Sequence, residues 1–249
     1  MSSIPFIILC AARTGSTMLR HMLNSHPDIC CHGEVMAGAI QSFVGLESEQ
    51  HSPLATKLEI LREQNPEAFI LDFVMFGGNS KAVGFKIKYE ELVLKKFVPV
   101  LRTLQYNLKI KIIHLLRKNR LKRFVSKITA TRIYNVYNIF DITQKPQIKT
   151  FVLDPVECEN DFLTTEAREN EFRAAFADHQ LLEIFYEDLL NPNTNTQREI
   201  QNFLEVQPVE LKTATIKINP DKIQILIENF TELKAYFNKT RWKNLFEDN

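Results

Sequence analysis

Seven residues near the start of the chain, Ala11-Ala12-Arg13-Thr14-Gly15-Ser16-Thr17, combine groups suited to holding an oxyanion. The Arg13 guanidinium can fork two oxygens of a phosphate or sulfate. Ser16 and Thr17 offer hydroxyl donors, and Gly15 allows close backbone approach or a positive φ. The segment lies between an apolar run and an amphipathic stretch. Successive backbone N–H groups and the positive end of a helix therefore converge there, which makes an anion site. It is not a Walker A loop, because no lysine occupies that motif's lysine position and the cation comes earlier, at Arg13. Such a loop suits a nucleotide that has no β/γ-phosphate and needs no metal. The competing reading is a polar strand–helix turn with no ligand.

A second anion site is suggested by Arg117, at the end of the apolar run Ile110 to Leu116, and Ser126, nine residues later. Leu121, Val125 and Ile128 mark the inner face of a helix, while Asn119, Arg120, Arg123 and Ser126 project elsewhere. A cation at a strand end and a hydroxyl on the next helix can meet on one phosphate, and ligands of open parallel sheets bind at carboxyl ends of strands. The alternatives are a solvated helix face and a track for nucleic-acid phosphates. The second is weakened by the few aromatics available for stacking.

The elements that must position these groups follow from periodicity. Ile4 to Cys10 reads as a strand buried on both faces, followed by a helix from about Ser16 to Asn24 with Met18, Leu19, Met22 and Leu23 inward. Pro27 ends that segment. Ile29 to Cys31 is a short strand, leading through His32 and Gly33 to a helical stretch near Val35 to Val44. Further strand-like runs are Ala82 to Lys88, Ile110 to Leu116 and Leu181 to Tyr186. Thr196 with Glu199 reads as a capping box, and Asn219-Pro220 as an N-cap followed by proline. Strands separated by helices imply α/β architecture, a three-layer sandwich with a central parallel sheet flanked by helices. Residues 1–249 read as one domain, with an irregular insertion over 134–164 as a possible acceptor-site element.

The 249 residues can bury one substantial core, or one core with a small appendage. Net charge is +1, so nothing global pulls the chain toward nucleic acid. The charge is uneven, with twelve Lys or Arg and no acid between Leu92 and Phe140, and acids returning from Asp154 to Glu171. Four cysteines read as buried thiols rather than a disulfide scaffold. No apolar run reaches the ~20 residues that span a bilayer, and Ile4 to Cys10 lacks the basic region of a secretory signal. A cytoplasmic protein is expected.

Together and in this order, the two anion segments resemble the PAPS-dependent sulfotransferases, particularly their bacterial single-domain branch. Gly33-Glu34, Gly84-Phe85-Lys86 and Tyr186-Glu187-Asp188-Leu189 agree, and the run from Pro220 through Trp242 is similar in character. Residues 134–164 have no counterpart. The resemblance implies a P-loop-like fold, PAPS as sulfuryl donor, PAP as product and no metal. It assigns the 5′-phosphosulfate to Arg13, Thr14, Gly15, Ser16 and Thr17, and the 3′-phosphate to Arg117 and Ser126. Lys86 would contact the transferring group, with Lys88 on the same strand face, and Tyr186 would lie near the adenosine. Glu34 would be the base that deprotonates the acceptor, its pKa raised toward neutrality by partial burial. His32 is the competing base, and Trp242 either covers the nucleotide or packs in the C-terminal core. The acceptor is a small-molecule, glycan or lipid hydroxyl. Phe43, Phe69, Phe73, Phe76, Tyr134, Tyr137 and Phe140 lie in segments that either wall an acceptor cleft or belong to the core. The rival readings are a small-molecule P-loop-like kinase and a non-catalytic anion- or nucleic-acid-binding module.

Overall fold

In the computed structural model, residues 3–36, 42–46, 52–76 and 78–247 are described. The strands are β1 (Ile4–Cys10), β2 (Ile29–His32), β3 (Ala82–Lys88), β4 (Lys111–Leu116) and β5 (Leu181–Phe185). The helices are α1 (Ser16–Asn24), α2 (Pro53–Gln64), α3 (Pro66–Ala68), α4 (Tyr89–Leu92), α5 (Val98–Tyr106), α6 (Arg120–Ile128), α7 (Pro155–Ala175), α8 (Tyr186–Leu189), α9 (Thr196–Phe203) and α10 (Phe230–Phe237). Two compact units result, residues 1–116 with 169–213, and residues 117–168 with 214–249.

The first unit is built on a five-stranded sheet in the order β2-β3-β1-β4-β5. Every pairing is parallel. Period-two alternation sends Ile7, Leu9, Phe85, Ile87 and Ile112 into one core, and Phe6, Ile8, Cys10, Ala82, Ile113 and Leu115 into another. The first core is closed by Val100 and Leu104 of α5 with Phe172 of α7 and Phe176 just beyond it, and the second by the inner stripe of α1 with Ile200 of α9. This is the expected three-layer arrangement. Because β1 leads toward β2 and β4 leads toward β5, the chain reverses direction between the neighbours β1 and β4. Their carboxyl ends form the topological switch point, where open α/β sheets bind ligands.

Gly84 makes the β1–β3 pairing possible. It sits opposite Phe6 in register, and a Cβ there would fall on the Phe6 carbonyl oxygen and ring.

The second unit packs Leu121, Phe124, Val125 and Ile128 of α6 against Phe151, Leu153, Phe162, Leu233, Phe237, Trp242 and Phe246. Several residues of the basic stretch are matched here by the later acids. Arg123, expected to project away from the core, is 2% exposed and donates to Asp161 and to Thr165 Oγ1 at 2.7 Å. Lys127 pairs with Asp161 at 3.1 Å, and Arg132 with Glu157 at 3.0 Å. Burial with partners replaces the solvated helix face at this position.

Other local signals are overridden. Thr196 is the first residue of α9 rather than its cap, because Thr194 ties the preceding turn to Asp188 and Asn191 and meets the Thr196 hydroxyl at 3.3 Å. No helix starts at Pro220; a 3₁₀ turn over Ile223–Leu226 follows, burying Ile223 and Leu226 three residues apart. The stretch read as helical near Val35 to Val44 lies half outside the described residues, at 37–41. The expected irregular insertion is irregular only at first. Isolated bridges join Ile139 to Ile216 and Phe151 to Ile227, and residues from Pro155 onward belong to α7.

Candidate active site

The turn after β1 has an uncommon backbone. Arg13 has φ 69° and Gly15 has φ 87°. The left-handed region costs a non-glycine residue about 1–2 kcal/mol, so Arg13 is held there by its surroundings. The Thr14 side chain is fully buried and its hydroxyl donates to the Ala11 carbonyl at 2.9 Å. On the other flank, the Ala12 N–H donates to Glu90 Oε1 at 3.2 Å. Gly15 caps α1, and its carbonyl accepts the first helical bond from Leu19 at 3.0 Å. Tyr186, the first residue of α8, lies directly over Gly15, where a Cβ would fall on the edge of its ring. Two independent constraints, positive φ and this close approach, require glycine at position 15.

The central cation is Lys86. It is 7% exposed, donates to Thr17 Oγ1 at 2.9 Å and pairs with Glu34 Oε1 at 2.9 Å. Glu34 uses its other oxygen on Lys88 at 2.7 Å, and Lys88 also reaches Glu91 at 3.3 Å. A chain of alternating charge thus runs from α1 through β3 to α4. Alternation along β3 puts both lysines on one face, as expected.

This arrangement corrects the expected titration of Glu34. Burial pushes its carboxyl up, but Lys86 and Lys88 outweigh burial and bring it down to about 2. Lys88 is disfavoured by burial yet raised on balance by the same carboxylate. Burial raises Glu91 above the ordinary carboxylate range, with Lys88 opposing. Within this chain of charge Glu34 is a bound anion.

His32 is engaged structurally. It is buried, its Nδ1 accepts the Val44 N–H at 3.1 Å, and its ring lies 5.0 Å from Phe43. Phe43 and Phe69 are core residues, whereas Phe76, Tyr137 and Phe140 are exposed.

Several groups escaped the sequence reading. Tyr89 is buried, stacks on Phe172 at 5.0 Å and hydrogen-bonds His114 Nε2. His114 Nδ1 faces Glu183 at 3.2 Å, and Glu183 is held by Arg173 at 2.7 Å. Burial, opposed by Glu183, lowers His114 to about 4. A histidine inside the apolar strand β4, at a position matched by no motif, was the one available signal.

The first unit therefore brings together Arg13, Thr14, Gly15, Ser16, Thr17, Glu34, Lys86 and Tyr186. Arg117 and Ser126 belong to the second unit. Arg117 follows β4 in the chain, and Ser126 is half-buried on α6, whose cap Asn119 accepts the Lys122 N–H at 2.8 Å. Trp242 packs against Phe162 at 5.5 Å with Arg241 over its ring at 4.3 Å, which is C-terminal core packing. Among the described residues no group of side chains is arranged to hold a metal ion, and no helix is long and apolar enough to cross a membrane.

A parallel sheet with an anion-type loop after its central strand defines the P-loop-like α/β class. Within that class, the family model described as the sulfotransferase family matches residues 5–210, and the chain belongs to this family. Among solved structures, a sulfotransferase from Alicyclobacillus acidocaldarius aligns over 100% of this chain and 98% of its own, with TM-score 0.52 and 18% identity. That likeness is one of fold. A mouse sulfotransferase complexed with PAP aligns over 99% of this chain and 76% of its own, with TM-score 0.44 and 17% identity. The sulfotransferase domain of a Synechococcus olefin synthase aligns over 84% of this chain and 76% of its own, with TM-score 0.42 and 20% identity. No curated protein matches the sequence.

Proposed function

We propose that this sulfotransferase moves a sulfuryl group from PAPS to an acceptor hydroxyl and releases PAP. The observation that carries the proposal is a buried lysine, Lys86, hydrogen-bonded to the anion-type turn through Thr17 and ion-paired to the carboxylate of Glu34. A donor loop, a cation and a base are the three parts that in-line transfer requires. The acceptor oxygen attacks sulfur as the bond from sulfur to the phosphate oxygen breaks, by analogy with phosphoryl transfer.

Arg13 and the backbone of residues 14–17 hold the 5′-phosphosulfate, with Ser16 and Thr17 supplying hydroxyl donors. Lys86 stabilises charge on the departing bridging oxygen. Glu34 accepts the acceptor's proton. Its low pKa fits this role in one way: when Lys86 turns to the anionic donor, Glu34 loses one of its two cations and becomes more basic. The base is then competent only in the donor-loaded enzyme. Arg117 and Ser126 hold the 3′-phosphate, whose remote binding is spent on orientation. Tyr186 borders the adenosine.

Residues 1–249 act as one sulfotransferase domain in this proposal. The acceptor class is a small-molecule, glycan or lipid hydroxyl, with no nucleic-acid partner and no metal in the reaction. The buried thiols Cys10, Cys31 and Cys158 suit a reducing, cytoplasmic setting.

The test is incubation with radiolabelled PAPS and a metabolite extract. A labelled product from wild type, absent with Arg117→Ala, is the expected result. No labelled product, together with magnesium-dependent transfer from ATP, would replace this reading with a kinase.

A further inference from the structure

The backbone of the donor turn is strained at one non-glycine residue, Arg13, and fastened on both sides of it. Thr14 fastens the downstream flank to Ala11, a contact only three residues long. The upstream flank is fastened by Glu90, 78 residues further along the chain. Glu90 is exposed, so its carboxylate is not driven to Ala12 by burial. Its place is set instead by the element that carries it. α4 begins directly after Lys88, and its first residue, Tyr89, is fixed beneath by Phe172 and His114, with Glu183 and Arg173 completing the line. Its third residue, Glu91, grips Lys88 and accepts the Lys88 N–H at 3.3 Å. A four-residue helix secured at both neighbours of Glu90 gives that side chain a fixed base from which to reach the turn.

We infer that Glu90 is a positioning residue for the donor: by accepting the Ala12 N–H it keeps Arg13 in the left-handed conformation that shapes the turn, and the buried Tyr89–His114 pair holds Glu90 in place. The inference rests on residues 11–17 being the PAPS loop, as proposed above. It assigns Glu90 no contact with substrate and no proton transfer. The part that matters is an acceptor oxygen at the right place, so glutamine serves as well as glutamate. Alanine does not.

The experiment is PAP titration calorimetry and steady-state kinetics on wild type, Glu90→Ala, Glu90→Gln and Tyr89→Phe. Glu90→Ala is expected to weaken PAP binding and raise the PAPS KM by about tenfold, with kcat and the acceptor KM within about twofold of wild type. Glu90→Gln is expected to restore wild-type binding or exceed it, since it keeps the acceptor oxygen and removes a negative charge facing an anion. Tyr89→Phe keeps the stacking on Phe172 and is expected to shift donor binding in the same direction as Glu90→Ala, by less. Hydrogen exchange of the donor-free proteins adds a ligand-independent reading, with faster exchange at Ala12 and Arg13 in Glu90→Ala, a smaller rise in Tyr89→Phe and none in Glu90→Gln. Unchanged or tighter PAP binding by Glu90→Ala would overturn the inference, as would Glu90→Gln behaving like Glu90→Ala. Failure of wild type to bind PAP, with the exchange difference intact, would instead refute the donor assignment and leave the fastening of the turn standing.

Discussion

Glu34 has a lysine on each carboxylate oxygen, and its acidity follows from that. Burial raises its pKa and the two ammonium groups more than cancel the rise, to about 2 folded against 4.5 as the ordinary value. A carboxyl depressed on folding stabilises the protein above its unfolded pKa and loses that contribution as pH falls through its folded one. The Glu34 contribution is therefore complete above pH 4.5 and fades toward pH 2. Urea midpoints measured across this range should fall for wild type, and Glu34→Gln should remove part of the slope. The same variant should keep PAP binding while transfer drops by about two to four orders of magnitude, the range for a lost general base. Near-normal turnover would remove Glu34 from proton transfer. Gly15 makes a second residue-scale case. Gly15→Ala should cost about 1 kcal/mol from its positive φ alone and more from the Tyr186 ring, and should abolish donor binding. A double variant with Tyr186→Ala should recover only the steric part of the stability loss.

At the scale of elements, β3 and β4 show what a pattern of apolar residues reveals and conceals. Gly84→Val should lower the denaturation free energy by about 1–3 kcal/mol or prevent folding, since its side chain would enter the space of Phe6. His114, buried in β4, titrates near 4 folded and near 6.5 ordinarily. Between those values the unfolded chain binds the extra proton, so stability drops as pH falls from 6.5 to about 4 and is unaffected by this group above 6.5. His114→Gln should flatten that part of a pH–stability curve. The strands were legible because short runs of Ile, Leu, Val and Phe have few other uses: β1, β3 and α1 appear with the expected ends. α7 was missed because its buried stripe passes from Cys158 and Phe162 through Thr165 and Glu169 before Phe172, and two polar residues break the periodicity. Its start was written locally, in Asp154, whose carboxylate accepts the Val156 N–H at 2.9 Å. The turn proposed to hold the donor drew attention because arginine, glycine and hydroxyls are adjacent in sequence. Glu90 was not, because a side chain 78 residues away meets that turn through a backbone N–H, and no spacing rule encodes such a contact.

For the molecule as a whole, a net charge of +1 conceals a basic middle and an acidic following segment, which meet where Arg123 and Lys127 pair with Asp161 and Arg132 with Glu157. In the second unit the pair of Arg123 and Asp161 is the most buried example. Arg123→Ala would leave Asp161 with the exposed Lys127 alone, and should destabilise the protein by about 3 kcal/mol, read from urea unfolding. Arg117 and Ser126 carry a different expectation, because the proposal places a ligand against them. The cleanest reading of that proposal is equilibrium binding rather than turnover. Calorimetric titration of PAP into wild type, Arg13→Ala and Arg117→Ala should give one site on the wild type, with affinity reduced by at least about tenfold in each variant, the effect of losing a charge-assisted contact. Wild-type protein that fails to bind PAP, or an Arg117→Ala variant that binds it as tightly as wild type, would contradict the account.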